Sequence, residues 1–365
     1  MMDKNNQSII NNILYDIVSS GEKNITINDL SQIINLKNNK QMVSTIAEII
    51  ENETAKNSSL EVISQKINDV ISNTKFADSN QSIQHCSYDV AENLTLAYKR
   101  SIGEDINNGK IITGLKGLDD IIDSIASTDM VVIAARSGHG KSSLALSIAL
   151  NVVNENNGVI FITLEMSRKQ LIDRAISVDT MIPHRQIKTG LLNQEEINCV
   201  AKSIVKLKSK PLYISDGCSL TINNIRNQIK KISNRTKISL IIIDYIQLIK
   251  TEKDRENRQV EVSNISHAIK KMSKELAIPV IVLAQLNRAV DYRIDKRPIV
   301  ADLRESGDIE NDADMIFFIY REGKYNLDKP ELKDKTEIIV AKNRSGQCGS
   351  TEIGFDENTT KFFNL

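Results

Sequence analysis

The chain has 365 residues, 41% hydrophobic and 26% charged, enough for a main domain of roughly 250 residues with a buried core and a smaller partner domain. Lys+Arg and Asp+Glu both total 47, which excludes the global basic field of a coat-like nucleic-acid binder but leaves local contacts open. No apolar stretch reaches the roughly 18–20 residues of a membrane helix, and the opening MMDKNNQSII has no signal-peptide apolar core, so a soluble, cytoplasmic protein with no membrane partner is expected.

Cys86, Cys199, Cys218 and Cys348 lie far apart and never at C-x-x-C spacing, and the four histidines are as scattered. That distribution argues against a structural zinc site or a disulfide framework. Tryptophan is absent and aromatics make up 4%, a poor supply for a surface that stacks bases.

In chain order, one of the 15 glycines and no proline precede residue 103, whereas seven glycines fall between Gly103 and Gly158. Residues 1–110 carry 10 Lys/Arg against 14 Asp/Glu, and residues 111–365 carry 37 against 33. Zero net charge is thus a sum of opposites. Ile9, Ile13 and Ile17, then Leu60, Ile63, Ile67 and Val70, recur at helical spacing. We expect a helical N-terminal domain over 1–72, a linker and linker helix over 73–110, and an α/β domain over 111–365. Within the last, short apolar runs at 130–135, 159–164, 239–243, 279–284, 314–319 and 336–341 read as strands covered on both faces, with 351–355 and 360–363 as a closing hairpin. The spacing of Val262, Ile265, Ile269, Met272 and Leu276 predicts one covering helix. The expected fold is therefore α/β, a mainly parallel sheet flanked by helices.

The segment Ala135-Arg-Ser-Gly-His-Gly-Lys-Ser142 follows the first of these strands and opens an apolar helix, as a phosphate-binding loop does. Backbone N–H groups and the helix N-terminus would face the phosphates, Lys141 would reach the β/γ oxygens, and Ser142 would bind Mg²⁺. The candidate ATP ligands are Arg136, Ser137, Gly138, His139, Gly140, Lys141, Ser142 and Ser143. Ala135 stands where the strict pattern has glycine, and His139, at the loop tip, is read as a tolerated residue, with titration near neutral pH as the alternative. Ligands of a parallel sheet sit outside the carboxyl ends of its strands, where this chain places Glu165, Asp244, Gln285 and Lys342. Asp244 fits the second Mg²⁺ position, Glu165 a general base for the attacking water, and Gln285 a γ-phosphate sensor.

Thr113-Gly-Leu-Lys-Gly-Leu-Asp119, the phosphate loop, Thr163-Leu-Glu-Met-Ser167, Ile243-Asp-Tyr-Ile-Gln-Leu248, Ser263–Leu276, Gln285-Leu-Asn-Arg288, Lys296-Arg-Pro298, Asp302-Leu-Arg-Glu-Ser-Gly307, Asp312-Ala-Asp314 and Ala341-Lys-Asn-Arg-Ser-Gly346 follow one another over about 250 residues. In this wording and order the chain resembles the bacterial and phage replicative DNA helicases, the DnaB-type hexameric motors with a RecA-like core. The resemblance implies an ATP- and Mg²⁺-dependent helicase with Glu165 as base and Gln285 linking the γ-phosphate to the DNA loop. It implies that Lys342 and Arg344 act in trans on a neighbour's nucleotide, and that Arg304, Glu305 and Gly307 contact single-stranded DNA. The basic residues Arg288, Arg293, Lys296 and Arg297 precede that loop. The implied partners are single-stranded DNA, further copies of the chain in a ring of six, a primase and a helicase loader. Residues 88–109 resemble the family's linker helix. The N-terminal region is shorter than the family's helical domain and matches it by no motif, and Ser127-Thr-Asp129 replaces its usual Pro-Gly. Two alternatives stand beside the helicase: a recombinase-like DNA-binding ATPase, and a helicase-derived regulatory subunit that does not unwind.

Overall fold

The apolar runs become neighbouring strands of one sheet. The computed structural model describes residues 110–217, 220–250, 258–326, 328, 332 and 334–365. The helical domain expected over 1–72, and the linker up to residue 109, lie outside the described residues. The strands are β1 (Met130–Ala135), β2 (Gly158–Thr163), β3 (Leu212–Ser215), β4 (Ile238–Asp244), β5 (Val280–Gln285), β6 (Met315–Tyr320), β7 (Lys335–Asn343), β8 (Gly349–Asp356) and β9 (Lys361–Phe363). The helices are α1 (Lys116–Ile122), α2 (Lys141–Val152), α3 (Arg168–Thr180), α4 (His184–Thr189), α5 (Gln194–Ser209), α6 (Ile222–Ser233), α7 (Arg258–Leu276) and α8 (Gly307–Asp312).

The sheet runs β3-β2-β4-β5-β1-β6-β7-β8-β9. All pairings from β3 to β6 are parallel, and β7, β8 and β9 add antiparallel. Every residue of β1, β2 and β4 is buried, as continuous apolar runs require when both faces are covered. Successive side chains of β1 divide between those faces. Val131, Ile133 and Ala135 pack with Leu144, Ala145 and Ile148 of α2, while Met130, Val132 and Ala134 pack with Ile225 and Ile229 of α6 and with Val262, Ile265, Ile269 and Met272 of α7. No helix among the described residues is long and apolar enough to cross a membrane.

Two expectations change. The strand β3 was not visible in the sequence, because Leu212–Ser215 is a half-buried edge that pairs only with β2 and so carries no strong apolar run. Lys342 was grouped with the carboxyl ends of a parallel sheet, but β7 is antiparallel and Lys342 pairs with Ile316 at the start of β6. Lys342 is therefore level with Val132, partway along β1, and not at the carboxyl edge beside the phosphate loop.

Candidate functional site

The carboxyl ends of β1, β2, β4, β5 and β6 converge on one cleft. At the end of β1 the chain needs two left-handed glycines, Gly138 at φ 77° and Gly140 at φ 95°, before α2 begins at Lys141. A Cβ on Gly140 would meet the Phe362 ring at 3.1 Å, so that position tolerates only glycine for two reasons. Lys141 is nine-tenths buried and donates to the Ala135 carbonyl at 3.3 Å. Burial pulls its pKa down, opposed by the charges of Asp244 and Glu165.

Asp244, the last residue of β4, is fully buried, and neither of its carboxylate oxygens completes a hydrogen bond. The Ser142 hydroxyl and the charges of Lys141 and Arg174 lower its pKa, but burial dominates and raises it to about 6. The two oxygens beside Ser142 fit a divalent cation and its waters, because a buried carboxylate that Ser142, Lys141 and Arg174 compensate only in part is costly. Among the described residues no group of three or more His, Cys, Asp or Glu could hold a metal without further ligands. The remaining oxygen ligands would come from phosphate and water.

The folded chain holds the Asp244 proton more tightly than the unfolded chain does. Stability is therefore lost as pH rises from about 4 to about 6, and the full cost, on the order of 2–3 kcal/mol, is present above that range. Asp244→Asn removes this cost. Without nucleotide it should raise the melting temperature at pH 7.5 and have little effect near pH 4, while Mg²⁺-dependent nucleotide binding is lost. A lower melting temperature at pH 7.5 would show that the carboxylate is not an unpaired buried charge.

Glu165 stands exposed at the mouth, two residues beyond β2, in a turn fixed by the Thr163 hydroxyl, which donates to the Met166 carbonyl at 2.9 Å and accepts from the Met166 N–H. Ser167 and Gln170 then close a capping box that starts α3. Gln285, in register with Ala135 on the adjacent strand, lines two cavities at once. One, of about 450 Å³, holds the phosphate loop, Glu165 and Met166. The other, of about 370 Å³, runs past Asn287 and Arg288 to Asp302 and Leu303.

Sequence reasoning missed three cations of the phosphate cleft, Arg174, Arg321 and Lys324. Arg321 directly follows β6, so the strand-end rule would have found it. It is 3% exposed, lies over the Phe355 ring at 4.5 Å and pairs with Glu357, which also pairs with Lys324. Arg174 projects from α3, where no local motif marks it, and its Nε has no partner.

Other predicted residues have different settings. The Arg136 guanidinium is engaged by Asp291 and the Leu286 carbonyl, so the side chain braces the loop and leaves only its backbone for a phosphate. His139 is buried 5.5 Å from the Tyr325 ring, and burial, then Arg321 and Lys141, push its pKa down to about 4. It is neutral throughout the physiological range. Arg304 and Glu305 belong to a 3₁₀ turn over Val300–Ser306, and Gly307 opens α8; the side chains of 304–307 lie outside the described residues. Of the preceding cations, Arg293 is bidentate to Asp302 and Arg297 pairs with Glu337, so both shape this segment internally. Lys342 and Arg344 cap the far end of α8, donating to the Glu310 and Asn311 carbonyls.

A phosphate cradle after β1, with β5 between that strand and the buried acidic end of β4, defines a P-loop NTPase core. A family model described as DnaB-like helicase C terminal domain matches residues 110–364. The chain is 36% identical over 297 residues to the replicative DNA helicase DnaB of Geobacillus stearothermophilus, covering 81% of this chain and 64% of that protein. It is 34% identical over 363 residues to its namesake in Rickettsia felis, covering 87% and 74%. A solved DnaB-like replicative helicase, described together with its interactions with primase, superposes at TM-score 0.75 with 29% identity, over 93% of this chain and 78% of its own. The chain belongs to the DnaB-like helicase C-terminal domain family and has its RecA-like core. It spans somewhat less than two thirds of the length of several of the curated relatives it matches.

Proposed function

We propose that the protein is an ATP-dependent replicative DNA helicase that forms a ring, in the family's manner of six subunits, around one DNA strand and unwinds duplex as it moves toward that strand's 3′ end. The observation that carries this reading is the place of Gln285, the shared wall between the phosphate cleft and the cavity leading to Asp302 and Leu303. A side chain that senses the γ-phosphate there is next to the segment carrying Arg304. In the cleft, Ser142 and Asp244 would hold Mg²⁺, which when bound would neutralise charge on the ATP phosphates. Lys141 binds the phosphates and Glu165 accepts the proton of the attacking water. The burial of Lys141 and Arg174 strengthens their pull on phosphate charge.

Arg304 pairs a DNA phosphate, and Gly307 lets backbone N–H groups approach it, with Glu305 positioning the loop or acting through its own N–H. Lys342 and Arg344 serve a different cleft from their own. Arg344 N–H bonds to the Asp314 carbonyl, level with Met130, and the loop begins five residues further along β1, about 17 Å away. A second copy would bring these cations to a γ-phosphate. The primase and loader are proposed partners on the strength of the family alone.

Hydrolysis should depend on DNA. Adding single-stranded DNA is expected to raise ATP turnover several-fold, and Arg304→Ala to move half-maximal stimulation to about tenfold higher DNA concentration at low salt. Turnover indifferent to DNA would count against the reading.

A further inference from the structure

We propose that Asp314 is the positioning residue for the trans-acting Arg344, its carboxylate fixing where the guanidinium is presented to the neighbouring subunit. The proposal rests on the trans reading above. The Asp312-Ala-Asp314 stretch lines no part of the phosphate cleft, yet both carboxylates are bound to α7 and Asp314 also reaches the finger. Asp312, the last residue of α8, accepts from Ser266 at 2.6 Å and from His267 at 2.7 Å. Asp314 is 8% exposed, and its Oδ2 accepts from the Met130 N–H at 2.7 Å and from Lys270 at 2.5 Å. Its own N–H donates to the Met130 carbonyl, and its carbonyl accepts the Arg344 N–H, both at 2.9 Å. Its Oδ1 faces the Arg344 guanidinium at 3.9 Å.

Asp314 thus holds Arg344 by backbone and by charge while being clamped to the first residue of β1. The strength of the contact suits a finger. Lys270 balances the carboxylate at close range, so the longer contact to a half-exposed arginine orients the guanidinium without outcompeting a phosphate. At the same end, Arg344 also donates to the Asn311 carbonyl, where the α8 dipole favours a cation. Because β1 leads into the phosphate loop, Asp314 also has a plain structural alternative, in which it supports its own cleft. The two roles differ in which subunit's hydrolysis they affect.

Mixed rings separate them. Lys141→Ala subunits have a dead cleft and an intact finger, so they complement any subunit whose only fault is the finger. Asp314→Asn alone should lower turnover about 10- to 100-fold, as a misplaced catalytic group does. Mixed equally with Lys141→Ala, it should recover to about a quarter of the wild-type rate, the share of interfaces that pair a sound cleft with a sound finger. Arg344→Ala is the control. If Arg344→Ala is complemented and Asp314→Asn is not, Asp314 acts on its own cleft and the positioning role is wrong. If neither is complemented, the trans reading fails and the inference with it. Asp314→Glu keeps the charge and serves in the same mixture should the asparagine variant not fold. If neither variant assembles, the residue is structural and the proposal is overturned.

Discussion

Lys141→Ala is expected to lower ATP turnover about 100- to 1,000-fold, the cost of losing one preorganised donor to developing phosphate charge. The effect has two parts. The first is direct, since the ammonium is buried at the start of α2 and aimed into the cleft that the phosphates would fill. The second runs through Asp244, whose pKa of about 6 is already held down by Lys141. Without the lysine that carboxyl rises further, and part of it is protonated near neutral pH, where Mg²⁺ binding needs it charged. Mg²⁺-dependent nucleotide affinity in this variant should therefore fall off at a higher pH than in the wild type. Titrating a fluorescent nucleotide between pH 5.5 and 8 would show it, and an unshifted pH midpoint would mean that Lys141 and Asp244 do not share the cleft electrostatically.

Glu165→Gln should have an effect of similar size on turnover and the opposite sign on that midpoint. Glutamine keeps the shape but cannot accept the proton of the attacking water, so kcat should drop about 100- to 10,000-fold. Nucleotide still binds, because Glu165 is exposed at the mouth and ligates nothing in the cleft. Its charge raises the Asp244 pKa. Removing it should let Mg²⁺-nucleotide affinity persist to lower pH. A variant that fails to bind nucleotide, or that keeps its kcat, would remove Glu165 from the role of base.

These opposed shifts come from one buried carboxylate between two charges, a geometry only partly legible in the sequence. The parallel strands could be read because both faces are covered, which leaves unbroken apolar runs such as Met130–Ala135 and Leu240–Ile243. Their ends placed Glu165, Asp244 and Gln285 together and the loop motif added Lys141, and the structure brings these four to one cleft edge. The same rule misplaced Lys342, since strand direction is set by pairing partners and β7 returns antiparallel to β6. Arg174 was invisible for a related reason. It approaches Asp244 only because β2, which leads into α3, pairs with β4, and no local spacing encodes that. The side-chain partner of Arg136, Asp291, is distant in sequence, and no motif announces it. His139 depended on burial, which composition does not reveal.

Strand displacement on a forked duplex tests the central claim most directly. With Mg²⁺ and ATP the protein should release the labelled strand, and neither Lys141→Ala nor a non-hydrolysable nucleotide should support release. DNA-stimulated hydrolysis with no strand released would contradict the account, leaving an ATPase that binds DNA without unwinding it.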